Sequence, residues 1–72
     1  MSLYPNPANE KLYLKNSNYN NATILIFDLQ GKKVLDRKVD SESIDISNLN
    51  KGIYVIKLVW SENIIITKLI KE

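Results

Sequence analysis

The chain has 72 residues, 44% of them hydrophobic and 25% charged, which allows one folded domain with one core and argues against disorder. Its net charge is only +2, and it has no cysteine and no histidine. This composition excludes disulfides, the usual zinc ligands and the most common general base. We therefore predict that the chain is not an enzyme and has no cofactor.

The distribution of charge and hydropathy narrows the possible partners. Two basic pairs, Lys32-Lys33 and Arg37-Lys38, are interleaved with acidic residues, so no single basic face is expected, and we predict no nucleic-acid partner. No apolar run approaches the ~18 residues that a membrane-spanning helix needs. We therefore predict no direct membrane insertion. Met1-Ser2 has none of the features of a signal peptide and is interpreted as an expression scar, which gives one predicted domain over residues 3–72.

The chain begins with a stiff extended segment, Tyr4-Pro5-Asn6-Pro7. Each proline fixes its own φ, lacks an N–H donor and pushes the preceding residue toward extended conformations. Such a segment can neither begin a helix nor lie in the middle of a sheet. It predicts an extended lead-in to the strands that follow.

Alternating apolar and polar residues predict strands in the first half of the chain. Residues 11–15 place Leu12 and Leu14 on one face, and a loop rich in asparagine is expected over 16–21. Residues 22–29 are apolar on both faces, which favours a central strand. Residues 33–39 carry many charges around Val34, which is typical of a protected sheet edge.

A hairpin turn is predicted between these last two strands, over residues 28–32. Gly31 can adopt a positive φ, and the Asp28 carboxylate can accept hydrogen bonds from the turn. Asp28 is also a candidate calcium ligand, and Asp40, Glu42 and Asp45 lie nearby in the sequence. These residues lack the spacing of a calcium loop, so we predict no metal site.

The second half of the chain predicts a tyrosine corner followed by a terminal hairpin. A short strand at 43–47 directs Ile44 and Ile46 inward, and Leu49, Gly52 and Tyr54 then follow. In immunoglobulin-like sandwiches a tyrosine at the start of the sixth strand bonds back to upstream backbone. A turn at residues 60–63 and a strand at 64–70 complete about seven strands. The predicted fold is a small all-β, immunoglobulin-like antiparallel sandwich.

Two surface features leave alternatives open. Lys68 and Lys71, on a terminal edge strand, are either guards against aggregation or part of an edge that accepts a partner's strand. The outward residues Tyr13, Leu25 and Val55 form either an exposed apolar partner surface or a self-association surface. Nothing in the sequence decides between these alternatives, and the oligomeric state cannot be derived from it.

Four motifs together resemble the C-terminal sorting domain (type A) of type IX secretion cargo over residues 3–72. They are Tyr4-Pro5-Asn6-Pro7, the stretch from Ile24 to Val34 that contains Phe27-Asp28 and Gly31-Lys32, the stretch Leu49-x-x-Gly52-x-Tyr54-x-x-Lys57, and the terminal Lys68-Leu69-Ile70-Lys71. Each motif alone is common in β domains, whereas the four in this order and spacing are specific.

The resemblance implies a function that the composition alone does not indicate. Domains of this family lie at the C-terminus of a larger cargo and direct it from the periplasm through an outer-membrane translocon. A sortase-like cysteine protease then commonly removes the domain and joins the cargo to surface lipopolysaccharide. The resemblance thus implies export, with periplasmic transit and then surface display or secretion. It also implies a cargo domain on the N-terminal side of this chain.

Family roles carry over to matching positions of this chain. The prolines mark the start of the domain, Gly52 and Tyr54 the corner, and Lys68, Leu69, Ile70 and Lys71 the terminal part of the signal. The family's cleavage site is expected at or before Leu3. Glu72 is a departure, because it places an acidic residue after the basic motif.

A second hypothesis comes from another functional class. An immunoglobulin-like module can bind carbohydrate or act as an adhesin beside a secreted enzyme, because sandwich folds serve many functions. Carbohydrate binding requires exposed aromatic side chains on one face, whereas Trp60 and Tyr19 are expected in separate loops. We therefore favour the sorting hypothesis.

Overall fold

The described chain is an all-β structure. The computed structural model describes residues 2–4, 10–15, 21–40 and 43–72. The predicted Pro5–Pro7 segment, most of the predicted loop at 16–21 and Glu42 lie outside these residues. Within the described ranges the strands are β1 Ser2–Tyr4, β2 Lys11–Lys15, β3 Thr23–Phe27, β4 Lys33–Lys38, β5 Ser43–Asp45, β6 Gly52–Trp60 and β7 Asn63–Lys71.

The strands form two antiparallel sheets with immunoglobulin-like order. One sheet has the order β1-β2-β5 and the other β4-β3-β6-β7. The first, second and fifth strands thus oppose the third, sixth and seventh, as in immunoglobulin domains, and β4 is paired with β3. The predicted all-β sandwich is confirmed.

The core lies between the sheets and follows from period-2 alternation. Leu12 and Leu14 on β2 are buried, as are Ile44 on β5 and Ile46 just after it. The inward residues predicted for these two strands are therefore confirmed. They meet the buried inner face of the four-stranded sheet, which consists of Ile24, Ile26, Tyr54, Ile56, Leu58 and Leu69.

The third and fourth strands occupy the positions that their composition predicted. β3 lies between β4 and β6, which explains why it is apolar on both faces. β4 is an edge strand with exposed charges, and a register irregularity interrupts its pairing with β3 at Ile26 and Phe27. Val34 only partly packs against the core, and the more buried anchor of this segment is Val39, which follows β4.

The turn between β3 and β4 has the predicted geometry. Gly31 adopts a φ of +85°, a conformation that costs glycine little because it lacks a Cβ. The Asp28 Oδ1 atom accepts hydrogen bonds from the backbone N–H groups of Gln30 and Lys32, both at 2.9 Å. The Asp28 N–H group donates to the Lys32 carbonyl at 2.9 Å. These bonds fix the register of the hairpin.

Replacing Asp28 with alanine is expected to lower the free energy of unfolding by about 1 kcal/mol, because two backbone donors lose a carboxylate acceptor. Asp28→Asn keeps the side-chain oxygen and is expected to cost less. Urea denaturation of the two variants checks this. Equal stability of Asp28→Ala and the wild type would show that water replaces the carboxylate without loss.

Candidate recognition surface

The predicted tyrosine corner is present at the start of β6. The Tyr54 hydroxyl donates a hydrogen bond to the Asn50 carbonyl oxygen at 2.6 Å, and the Tyr54 ring is buried. Upstream, the Leu49 N–H group donates to the Ile46 carbonyl at 3.0 Å. A side chain at position 52 would meet no atom beyond the adjacent residues within 4 Å, but the φ of Gly52 is +156°, which residues with a Cβ rarely adopt. Glycine therefore suits this position because of its backbone conformation rather than because of space.

Replacing Tyr54 with phenylalanine is expected to destabilise the domain by about 1–2 kcal/mol, because the Asn50 carbonyl loses its donor while the ring packing remains. For a domain of this size the melting temperature should fall by roughly 4–16 °C. Differential scanning calorimetry measures this, with Ile53→Val at the neighbouring exposed position as the control. An unchanged melting temperature would mean that the hydroxyl does not stabilise the corner.

The predicted terminal signal lies on β7, which forms the edge of its sheet among the described strands. β7 pairs with β6 in continuous register from Gly52 opposite Lys71 to Trp60 opposite Asn63. Alternation along β7 splits the four predicted signal residues between two faces. Leu69 and Lys71 are buried on the side that faces the core. On the opposite, outward side Lys68 is exposed and Ile70 is half-buried.

The position of Lys71 corrects the simplest interpretation of the terminal lysines. Its side chain is only 8% exposed, and its Nζ atom donates to the Glu72 carbonyl oxygen at 3.2 Å. Lys71 therefore does not face outward as Lys68 does. An inward-pointing charge on an edge strand also disfavours pairing with other chains. If Lys71 protects the edge against aggregation, it does so as an inward-pointing charge and not as an exposed one.

The predicted apolar patch of Tyr13, Leu25 and Val55 is not one surface. Leu25 and Val55 share the outward side of the four-stranded sheet, whereas Tyr13 belongs to β2 in the other sheet. Tyr13 is 41% exposed there. The outward sides of the two sheets point in opposite directions, so no single partner surface includes all three residues.

A larger apolar surface covers the outward side of β3, β6 and β7, and we call it the outer face. Register places Leu25, Lys57 and Ile66 in one row across the three strands. Ile53, Ile64 and Ile66 are 45%, 56% and 66% exposed. The apolar residues of the outer face that lie opposite a residue of a neighbouring strand include Leu25, Phe27, Val55, Val59, Ile64 and Ile66.

Sequence reasoning missed most of the outer face. The sequence predicts a strand over 64–70 without an outward apolar surface, but in the structure Ile65 packs against the core while Ile64 and Ile66 face outward. The informative signal was an isoleucine run on the terminal strand. Because side chains alternate, an unbroken apolar run must place part of its surface outward.

Trp60 does not lie in a loop as predicted. It ends β6, is paired with Asn63, and packs partly buried against the core. It is therefore not a free aromatic platform of the kind that carbohydrate binding requires. Tyr19 lies outside the described residues.

The acidic side chains do not form a metal site in the described ranges. No group of three or more histidine, cysteine, aspartate or glutamate residues there is placed to hold a metal ion. Asp45 instead accepts hydrogen bonds from the Ser47 hydroxyl at 2.6 Å and the Ser47 N–H group at 2.9 Å. In the same ranges, no helix is long and apolar enough to span a membrane.

The hydrogen bonds of Asp45 predict a modest acid dependence. The Ser47 hydroxyl and then the Ser47 N–H group lower the pKa of Asp45 below its ordinary 3.8, and the charges of Arg37 and Lys11 add to this. A lowered folded-state pKa contributes stability that is present above 3.8 and is lost as pH falls through the folded-state value. Asp45→Asn is therefore expected to flatten the loss of stability on acidification. Parallel acid titrations of wild type and variant by circular dichroism would contradict this if the two curves had the same shape.

The two sheets and the tyrosine corner define a small immunoglobulin-like sandwich. On its edge strand β7, buried and exposed residues of the terminal motif alternate. Residues 2–72 match the family model described as "Secretion system C-terminal sorting domain". The chain belongs to this family, the type IX sorting domains, and the resemblance noted in the sequence is confirmed. Family membership identifies a targeting module with a sorting role in secretion.

A curated relative also matches most of the chain. Beta-agarase D of Zobellia galactanivorans is 34% identical over 58 residues, which are 81% of this chain and 12% of that protein. The chain therefore spans a small fraction of the length of the relative that it matches.

Proposed function

We propose that residues 3–72 direct a larger cargo protein across the outer membrane through the type IX translocon. The single observation that carries this proposal is the family match over residues 2–72. The similarity to one part of a much longer protein, beta-agarase D, supports a cargo on the N-terminal side of the domain.

The burial pattern supports different roles for the inward and outward residues of the terminal motif, residues 68–71. Leu69 and Lys71 are inner-face residues, so they would keep β7 in register and the domain folded. Lys68 and Ile70 lie on the outer face, where a translocon component could contact them. The corner residues Gly52 and Tyr54 would then be structural, because Tyr54 is buried and bonded to Asn50. The prolines, Pro5 and Pro7, would mark the start of the domain.

The proposed sequence of events places the chain in the periplasm first and at the cell surface or in the medium afterwards. A sortase-like cysteine protease would cleave at or before Leu3 and join the cargo to lipopolysaccharide. We propose no catalytic role for the domain itself, since the chain lacks histidine and cysteine.

The test is an export assay with a fluorescent reporter that carries a signal peptide and ends in residues 2–72. The fusion is expressed in a type IX-competent bacterium and in an isogenic strain without the translocon, and reporter is assayed at the surface and in the medium. We expect export in the competent strain alone. Periplasmic retention in both strains, with the domain shown to be folded, would contradict the proposal.

The same cultures test the proposed fate of the domain. Mass spectrometry of the exported reporter should show loss of residues 3–72. Gel electrophoresis should show a slowly migrating, lipopolysaccharide-linked form. Both should disappear in a strain that lacks the sortase-like protease. Recovery of the intact fusion at the surface of the competent strain would leave sorting in place but contradict removal.

A further inference from the structure

The outer face is an apolar surface that the described part of the chain leaves exposed. β3 and β6 carry apolar residues on both sides, a pattern typical of strands buried on both faces. Their inner sides pack against the three-stranded sheet. On the outward side, in contrast, Ile53, Ile64 and Ile66 are 45%, 56% and 66% exposed. Contiguous exposed apolar surface of this kind marks an interaction site on a small domain.

Charge in the central row of this face is complementary to itself. The row runs from Asp36 on β4 through Leu25 and Lys57 to Ile66 on β7. Among the described residues the one salt bridge joins the Asp36 Oδ2 atom to the Lys33 Nζ atom at 2.8 Å, and both side chains are about half exposed. Lys57 is half-buried and has no carboxylate partner within those residues. The row therefore presents a carboxylate and, two strands away, an ammonium group.

A two-fold axis parallel to the strands, between β3 and β6, brings these two groups together. It lays β3 of one copy on β6 of the other and β4 on β7, and it sets each row opposite the same row of the second copy. Lys57 then lies over Leu25 of the second copy. Asp36 of that copy is one strand spacing further, about 4.8 Å, within reach of a lysine side chain. Two-fold symmetry forms this pair twice, as in any isologous interface.

The same axis brings apolar side chains together around the charged pair. Ile66 of one copy lies diagonally from Leu25 of the other, on the diagonal that the charges leave open, and Phe27 lies over Val55 in the neighbouring row. Lys33 and Lys68 are the two ends of that row. They lie at the rim of the paired faces, where water solvates charged groups.

The area of the face is sufficient for pairing with a second copy. The two longest extents of the molecule, 29 and 21 Å, match the dimensions of a four-stranded sheet with nine-residue strands. A face of this size has about 600 Å² per copy, and two copies together bury about 1,200 Å², where stable protein interfaces begin. Two-fold homodimers are also the most common oligomers.

We propose that the outer face binds a second copy of this chain, in a two-fold dimer held by apolar contacts and by Lys57–Asp36 pairs between the copies. Apolar burial supplies the affinity, and the charge pairs fix the relative orientation of the copies. The proposal goes beyond the sorting function and does not rest on it. Because β1 belongs to the other sheet, a protein joined ahead of β1 leaves the outer face accessible.

Sedimentation velocity of the purified 72-residue chain tests the dimer. We expect a monomer–dimer equilibrium, and Ile64→Ser/Ile66→Ser should raise its dissociation constant by about tenfold or more, because two exposed isoleucines of the interface are lost. Tyr13→Ser on the opposite sheet is the control and should change the constant by less than about twofold. Thermal melts establish that each variant is folded.

Charge variants test the arrangement of the two copies. Lys57→Glu alone and Asp36→Lys alone each place like charges opposite one another, so each should raise the dissociation constant by about tenfold or more. Loss of the exposed Lys33–Asp36 salt bridge in the second variant costs little stability. In an equimolar mixture, each heterodimer of the two variants regains two pairs of opposite charge. The mixture should therefore dimerise within about threefold of the wild type.

Three results would overturn the dimer. The first is a wild-type chain that stays monomeric at about 0.5 mM. The second is a dimer that Ile64→Ser/Ile66→Ser leaves intact, because it would use another surface. The third is a mixture of the charge variants that dimerises no better than either variant alone, because Lys57 would then not lie beside Asp36 of the second copy.

Other occupants of the face give results that differ from these. A monomeric chain that binds vesicles of phosphatidylglycerol and phosphatidylcholine through Ile64 and Ile66 would overturn the proposal in favour of a lipid surface. A monomeric chain whose export as a fusion requires the same two isoleucines would overturn it in favour of a partner protein. Sedimentation does not depend on export, so failure of the dimer and failure of the sorting function are measured separately.

Discussion

Replacing Leu58 with alanine is expected to lower the free energy of unfolding by about 2–5 kcal/mol, because it leaves a cavity at a core position. Leu58 is fully buried on β6 and pairs with both Ile24 and Ile65. The total stability expected for 72 residues is only about 4–11 kcal/mol. The loss therefore amounts to between about a fifth and all of the total stability, and export of a fusion should fall with the folded fraction of Leu58→Ala.

The matched control for this variant is its neighbour on the other side of the sheet. Val59 is half-buried on the outward side of β6, so Val59→Ala should cost about 1 kcal/mol or less. Denaturant titration of both purified variants gives the comparison. Equal stabilities for the two would contradict the assignment of Leu58 to the core and of Val59 to the surface.

Ending the chain after Lys68 is expected to abolish cooperative folding as well as export. The deletion removes Leu69, which is fully buried, and the pairing of residues 69–71 with the start of β6. Loss of a buried leucine alone costs about 2–5 kcal/mol. The deletion also exposes Tyr54, which lies opposite Leu69. Circular dichroism and thermal melting of the truncated chain measure the effect.

Replacing Glu72 with glutamine is the control for this truncation. Glu72 is exposed and lies beyond the end of β7, and the substitution keeps the backbone carbonyl that accepts the Lys71 Nζ hydrogen bond, so the melt and the export should stay unchanged. This control also tests whether the acidic final residue matters. A truncated chain that ends at Lys68 and still melts cooperatively near the wild-type temperature would contradict the structural role assigned to Leu69.

Features set by neighbours in the sequence could be predicted. The Asp28–Gly31 turn and the Tyr54 corner depend on bonds between residues two to four positions apart. The inward positions of Leu12 and Leu14 follow from alternation within one strand. These elements need no knowledge of the rest of the fold, because backbone geometry and short hydrogen bonds determine them.

Features set by the pairing of distant strands could not be predicted. Whether Tyr13 shares a surface with Leu25 depends on which sheet β2 joins, and whether Lys71 points inward depends on its register against β6. A shift of one residue in register would turn every side chain of β7 to the opposite face. The surface formed by Lys57 and Ile66 becomes visible only when β6 and β7 are placed side by side.

The domain at residues 3–72 is expected to be sufficient to sort an attached protein. The most direct test of this expectation is the fraction of signal-peptide-bearing reporter that external protease degrades on intact cells or that is recovered from the medium. The comparison is between a type IX-competent strain and its translocon-deleted sibling. We expect far more exported reporter in the competent strain than in its sibling, with a reporter that lacks residues 2–72 retained in both. Equal export, or equal retention of a folded fusion, in the two strains would contradict it.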